Sequence, residues 1–239
     1  MRALNDSLQP EGNPPEVIGG HSLFSLPHYS KELTSTVASG KYAHTMNRGR
    51  LEAFSDGVIA ILITIMVLEL KAPQGSDWRA LKPIIPTLLL YVLSFIYVGI
   101  YWNNHHHMLH TVERVNGKIL WANLHLLFWL SLVPFVTSWT GQNRFAELPT
   151  ALYGVVFIMA AVAYIILQQC IIKLQGPHSR LAAAIGSDVK GKTSLLLYGV
   201  GIPVAYFGHP WVAAMLYVLV ALLWFAPDPR IETRLDARK

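Results

Sequence analysis

The sequence has only one cysteine, Cys170, and few charged residues. A single thiol excludes an intramolecular disulfide, so the cysteine content does not indicate the redox environment of the protein. Charged residues make up 14% of the chain, which is too little for an ordinary soluble domain of this length. Residues 1 to 45 contain no apolar run that resembles a signal peptide. The composition therefore excludes a disulfide framework and a typical soluble fold.

Apolar residues are abundant instead, at 53% of the chain with a mean hydropathy of +0.38. A helix needs about 20 apolar residues to cross the hydrocarbon of a bilayer. The sequence predicts an all-α integral membrane protein with six transmembrane helices over residues 48 to 227. A disordered cytosolic extension is expected over residues 1 to 47, and a cytosolic tail over 228 to 239. The predicted spans are 51 to 70, 84 to 104, 118 to 140, 149 to 172, 193 to 208 and 210 to 226.

Lysine and arginine indicate the orientation of these helices, because positive charge is retained on the cytoplasmic side. All but four of the 19 basic residues lie in the segments on the side of the amino terminus. The exceptions are Lys71, Arg79, Lys82 and Arg144. Both termini are therefore expected in the cytosol. This asymmetry explains the formal net charge of +5, so no nucleic acid partner is predicted.

Polar residues inside the first three predicted helices are expected at a similar depth, near the cytosolic side. A carboxylate within a membrane span is costly, so Asp56 is a functional candidate that needs a partner. Imidazole and amide groups can supply the hydrogen bonds that a carboxylate and a hydroxyl require. We predict a polar belt that ties the three helices together. Its members are Ser55, Asp56, Asn103, Asn104, His105, His106, His107, Asn123 and His125.

The first helix also carries an aliphatic stripe, formed at 100° per residue by Gly57, Ile61, Ile65 and Leu68, with Thr64 on its flank. Several copies of the chain around an axis would stack rings of these side chains. Such rings can gate a pore by dewetting. The residues alone leave two other readings open, in which the stripe faces lipid or packs against another helix.

Arg50, followed after three residues by Phe54-Ser55-Asp56, resembles the signature of the transmembrane protein 175 family of potassium channels. The resemblance continues through residues 48 to 136. The further residues that carry the resemblance are Ile61, Thr64, Met66, Leu68, Trp102, Asn104, His105, His106, Trp121, Asn123, Pro134 and Phe135.

The resemblance implies a homotetramer around a central pore, as in prokaryotic members with one six-helix repeat, in a prokaryotic cell membrane. It implies that Ile61, Ile65 and Leu68 form the constriction and that Thr64 favours potassium. The chain has no Thr-Val-Gly-Tyr-Gly carbonyl filter, so modest potassium selectivity is expected. The similar stretch from Tyr198 to Gly201 is interpreted as close helix packing. Potassium ions are the expected permeant species, and no cofactor is predicted.

Two other classes of function remain open. A proton- or cation-coupled secondary transporter would use Asp56 to bind the coupling ion, although no inverted repeat is evident. A membrane enzyme would use the histidines. His105, His106, His107 and His110 have neither an accompanying cysteine nor the HExxH spacing. We therefore predict no metal site and no enzyme activity. A histidine close to Asp56 would make opening depend on pH.

Overall fold

The computed structural model describes residues 47–185 and 188–225, and the regular structure in these two ranges is entirely helical. This confirms the all-α prediction. The predicted tail over 228 to 239 and all but the last residue of the predicted extension over 1 to 47 lie outside the described residues. The helices are α1 (Arg48–Leu68), α2 (Trp78–Leu81), a 3-10 turn (Lys82–Ile84), α3 (Ile85–His110), α4 (Gly117–Ser131), α5 (Val133–Gln142), α6 (Glu147–Gln175), α7 (Arg180–Ile185), α8 (Val189–Tyr206) and α9 (Pro210–Phe225).

Four helical segments of the described chain are long and apolar enough to cross a membrane: Arg48–Leu68, Trp78–His110, Gly117–Gln142 and Glu147–Gln175. The chain is therefore a multi-pass membrane protein. The two further predicted spans correspond to α8 and α9. Helix α8 begins with the polar stretch Lys190-Gly191-Lys192-Thr193-Ser194, and α9 is apolar but has only 16 residues.

Two of the differences from the predicted spans have clear local reasons. Helix α3 continues past residue 104 to His110, because neither proline nor glycine interrupts the histidine-rich segment. The third predicted span is divided at Leu132, where α4 ends and α5 begins. Pro134 lies in the first turn of α5, where its missing N–H removes no hydrogen bond of the new helix.

Helix α6 lies at the centre of the described bundle, in contact with α4, α5, α8 and α9, while α1 contacts α3, α4 and α5. The core around α6 is aromatic: Phe157 lies 4.3 Å from Tyr97 and 4.8 Å from Tyr153 between ring centroids. Ser94 of α3 bridges Tyr153 and Thr137 at 3.0 and 2.7 Å. This core anchors α3, whose opposite end meets α1.

One glycine of the Tyr198–Gly201 stretch shows close packing. A Cβ on Gly201 would lie 2.7 Å from the Tyr217 ring of α9, whereas a Cβ on Gly199 would meet nothing within 4 Å. The contact joins α8 to α9. The interpretation as helix packing therefore holds at Gly201 and fails at Gly199.

Candidate functional site: the two faces of the first helix

Helix α1 is capped at its start by Asn47, whose side chain accepts a hydrogen bond from the Gly49 N–H at 3.0 Å. This N-cap satisfies one of the free backbone donors of the first turn. The buried residues of the helix recur at steps of four, four, three and four, which places them on one face. This packed face consists of Leu51, Ser55, Ile59, Leu62 and Met66.

The opposite face of α1 is apolar and uncovered. Phe54, Ile61, Ile65 and Leu68 are 51%, 57%, 40% and 79% exposed. Thr64 lies on the same side, and its hydroxyl donates to the Ile61 carbonyl at 2.7 Å. Within the described chain, each of these four apolar side chains keeps at least 40% of its surface exposed. We call these four side chains together with Thr64 the open face, and it contains all four residues predicted to line a pore.

A chain of hydrogen bonds fastens the packed face at the end where α1 begins. Asn123 of α4 donates from Nδ2 to Ser55 Oγ at 2.9 Å, and its Oδ1 lies 2.7 Å from His105 Nε2 of α3. Ser55 Oγ donates to the Leu51 carbonyl at 2.9 Å. Ser55, His105 and Asn123 are at most 1% exposed. Three predicted belt residues therefore join three helices.

These contacts determine the direction of each donor. Ser55 has one hydroxyl proton, and because it goes to the Leu51 carbonyl, Ser55 Oγ can only accept from the Asn123 amide. The amide oxygen then faces His105, so His105 Nε2 donates. The other ring nitrogen of His105, Nδ1, is shielded from solvent and has no hydrogen-bond partner among the described residues. Removal of Asn123 would leave the His105 donor unpaired as well.

Asp56 has a different partner from the one expected. Its Oδ1 accepts from Trp102 Nε1 of α3 at 3.0 Å, and no histidine of the described chain bonds to it. The structure thus does not support a histidine switch in contact with Asp56. Arg50, the first residue of the signature, is exposed and forms no hydrogen bond or ion pair with the residues that the structure describes.

Four predicted belt members lie apart from this network: Asn103 and His107 are exposed, and Asn104 and His125 have other partners. Asn104 donates to the Ile100 carbonyl of its own helix at 2.8 Å, and its backbone carbonyl accepts from Tyr164 of α6 at 3.3 Å. His125 accepts from Trp129, also within one helix, at 2.9 Å. The belt is therefore smaller than predicted.

Sequence reasoning missed a second contact between α1 and α3. Glu52 Oε1 lies 3.0 Å from His106 Nδ1 and 3.2 Å from His110 Nε2. A signal for it exists in the spacing: Glu52 and Asp56 are four apart on α1, and Trp102, His106 and His110 are four apart on α3. Two antiparallel helices with such stripes can pair them in register. The spacing alone does not predict the contact, because it does not show that the two stripes face each other.

At the other end of α1, Glu69 accepts a hydrogen bond at Oε2 from Ser138 of α5 at 3.0 Å. Glu69 also lines a surface pocket beside the open face, together with Ile65, Ser131, Phe135 and Trp139. The carboxylate is exposed. The end of α1 opposite Ser55 is thus held by one surface bond, whereas the Ser55 end is fastened by a buried network.

The family described as "Endosomal/lysosomal potassium channel TMEM175" matches residues 50–134 of this chain. That interval contains every residue of the open face and of the buried network. The chain is 58% identical over 190 residues to a potassium channel of Chryseobacterium sp. (strain P1-3), a match that covers 80% of this chain and 98% of the relative. It is 28% identical over 156 residues to the "Endosomal/lysosomal proton channel TMEM175" of Danio rerio, covering 62% of this chain and 29% of that protein.

Among solved structures, the chain is similar to the crystal structure of a lysosomal potassium-selective channel TMEM175 homolog from Chamaesiphon minutus. The TM-score is 0.66 at 26% identity, over 74% of this chain and 95% of the other. Sequence and fold therefore agree, and the chain belongs to the TMEM175 family of potassium channels.

Proposed function

We propose that this chain is one subunit of a passive, modestly potassium-selective channel in a prokaryotic cell membrane. Family membership supports this activity, as does the potassium channel of Chryseobacterium that shares 58% of its residues with this chain. The alternative of a secondary transporter using Asp56 has no support from these relatives, which are named as channels. The family is a channel family and not an enzyme family.

The open face of α1 is the observation that carries the proposed pore. Four copies arranged around a common axis would place Ile61, Ile65 and Leu68 in successive rings, with the Thr64 hydroxyl between them. An aliphatic ring offers a passing ion no oxygen ligands, so it raises the dehydration barrier and can close the passage by dewetting. The hydroxyl of Thr64 keeps lone pairs available to a cation, because its proton is bonded to the Ile61 carbonyl.

The buried network positions this face. Ser55 is held through Asn123 to His105, and Asp56 is held to Trp102. These bonds set the rotation of α1 about its own axis, and that rotation decides which side chains face outward. We propose that Arg50 and Phe54, both exposed on the same helix, contact neighbouring subunits or solvent at the cytosolic mouth.

The remaining parts of the proposal concern topology. Helices α8 and α9 would complete six spans, since each is helical throughout and they are joined by a tight turn around Gly208, with φ at +97°. The distribution of lysine and arginine favours cytosolic termini.

Recording from purified protein in planar bilayers under a potassium/sodium gradient tests the proposal. We expect a reversal potential displaced toward that of potassium. Ile61→Asn should raise the current about tenfold and reduce selectivity, since a polar ring removes part of the dehydration barrier and about 1.4 kcal/mol corresponds to one decade in rate.

Leu89→Asn is the matched control, because Leu89 is about as exposed as Ile61, at 61%, but lies on α3 instead of α1. It should leave the current unchanged. A reversal potential of zero for every ion pair, or equal currents for Ile61→Asn and the wild type, would refute the proposal. A pH gradient across the same bilayer separates proton current from potassium current.

A further inference from the structure

Beyond the channel function, and independently of it, we propose that Glu52, His106 and His110 form a binding site for a divalent transition-metal ion, with zinc as the probe. The site joins the first turns of α1 to the last turns of α3. The carboxylate oxygen and the two imidazole nitrogens all lie within 4.8 Å of one another.

The distances match those around a shared ion. Zinc binds imidazole nitrogen and carboxylate oxygen at about 2.0–2.1 Å in tetrahedral geometry, which separates neighbouring ligand atoms by about 3.3 Å. Glu52 Oε1 lies 3.0 Å from His106 Nδ1 and 3.2 Å from His110 Nε2. These two separations are close to that spacing, and the two imidazole nitrogens lie within 4.8 Å of each other.

Hydrogen bonding does not explain the cluster. Although His106 Nδ1 is close to Glu52 Oε1, the alignment is not that of a hydrogen bond. This nitrogen is shielded from solvent and has no hydrogen-bond partner in the part of the chain that the structure describes. A buried nitrogen without a hydrogen-bond partner is costly, and a metal ion shared with the Glu52 carboxylate would coordinate both atoms.

The donor set selects the class of ion. Two imidazoles and one carboxylate suit zinc and neighbouring transition metals, whereas potassium, magnesium and calcium prefer oxygen ligands. Glu52 is mostly buried at 15% side-chain exposure, while His110 is 50% exposed. The site therefore has three protein ligands and an open side where water can complete the coordination.

The histidine spacing alone predicts no metal site, because it supplies no third ligand. The fold provides that ligand by placing Glu52 opposite His106 and His110. Trp102 stacks over His106 with ring centroids 5.9 Å apart and also donates to Asp56. Arg48 donates to the His110 carbonyl at 3.1 Å. A bound ion would therefore add a stronger tie where α1 and α3 already meet.

The test uses full-length protein in detergent, with any polyhistidine tag removed, titrated with zinc chloride in a calorimeter. We expect one zinc ion per chain. Glu52→Gln and His110→Ala should each weaken binding at least about tenfold, because each removes one of three ligands. His107→Ala is the matched control, since His107 is exposed on the same helix and lies outside the cluster. It should retain the affinity of the wild type.

Thermal unfolding provides a second measurement. Zinc should raise the unfolding temperature of the wild type and of His107→Ala, because a ligand that binds the native state stabilises it. It should not raise that of His110→Ala, a half-exposed position where the substitution is compatible with folding. Absence of zinc binding, or equal losses in His107→Ala and His110→Ala, would overturn the proposal. Neither measurement depends on ion conduction, so failure of the zinc-site proposal can be distinguished from failure of the proposed channel function.

Discussion

The two faces of α1 are built from the same aliphatic residues in opposite surroundings. Ile59 is 2% exposed and packs against the rest of its own chain, whereas Ile61, two residues further on, is 57% exposed. Two residues correspond to about 200° around a helix, so the rotation of α1 separates a residue that stabilises the fold from one available for function. Hydrophobicity alone cannot distinguish them, since both are isoleucine.

Substituting these two isoleucines gives the largest expected effect. Ile59→Ala should lower the free energy of unfolding by about 2–5 kcal/mol, because it leaves a cavity in the packed face. Ile61→Ala should change it by less than about 0.5 kcal/mol, since no described side chain would lose a partner. Reversible unfolding in detergent measures both. Equal losses for the two variants would remove the distinction between the faces.

The buried network on the packed face gives the next largest effect. Asn123→Leu should cost about 1–3 kcal/mol, because His105 and Ser55 both lose their bonds to the amide and His105 is left with an unpaired donor. Asn103→Leu is its control, an exposed asparagine of α3, and should be near neutral in the same unfolding measurement. If Asn123→Leu were as stable as the wild type, the network would not hold α1.

A smaller effect is expected at Trp102 of α3, whose indole N–H donates to Asp56 of α1. Trp102→Phe keeps an aromatic ring over His106 and removes only the hydrogen bond to Asp56. It should lower stability by about 0.5–1.5 kcal/mol. Trp121→Phe, at a tryptophan that is 75% exposed, should leave stability unchanged. If Trp102→Phe were as stable as the wild type, the hydrogen bond to Asp56 would contribute nothing measurable.

The sequence predicted that Ile61, Ile65 and Leu68 share one face, because the helical period of 100° per residue is a property of a single segment; the exposure of that face is a finding of the structure. The sequence also placed Ser55, His105 and Asn123 in one network, since buried polar groups must find partners. The pairing of Asp56 with Trp102 and of Glu52 with two histidines was not predicted. Those contacts depend on the register of α3 against α1, and no local pattern in either helix fixes that register.

The helix boundaries likewise include features that the local sequence predicts and features that it does not. Helix α3 continues six residues beyond the predicted end at residue 104, because an apolar span ends at the polar histidines whereas helix formation does not require apolar residues. The break at Leu132 was missed because Pro134 is compatible with the first turn of a new helix. Local apolar runs therefore predicted the four helical segments that are long and apolar enough to cross a membrane, but not how far each helix continues.

Water accessibility of the open face tests most directly whether it lines a passage. In a Cys170→Ser background reconstituted in liposomes, Ile65→Cys should react with a charged, membrane-impermeant thiol reagent, and the reaction should reduce potassium flux. Leu89 lies about one turn from the start of α3 and is more exposed in the single chain than Ile65. Leu89→Cys should nevertheless stay unreactive, because the side chain faces lipid. Protection of Ile65→Cys together with reaction of Leu89→Cys would contradict a pore lined by α1.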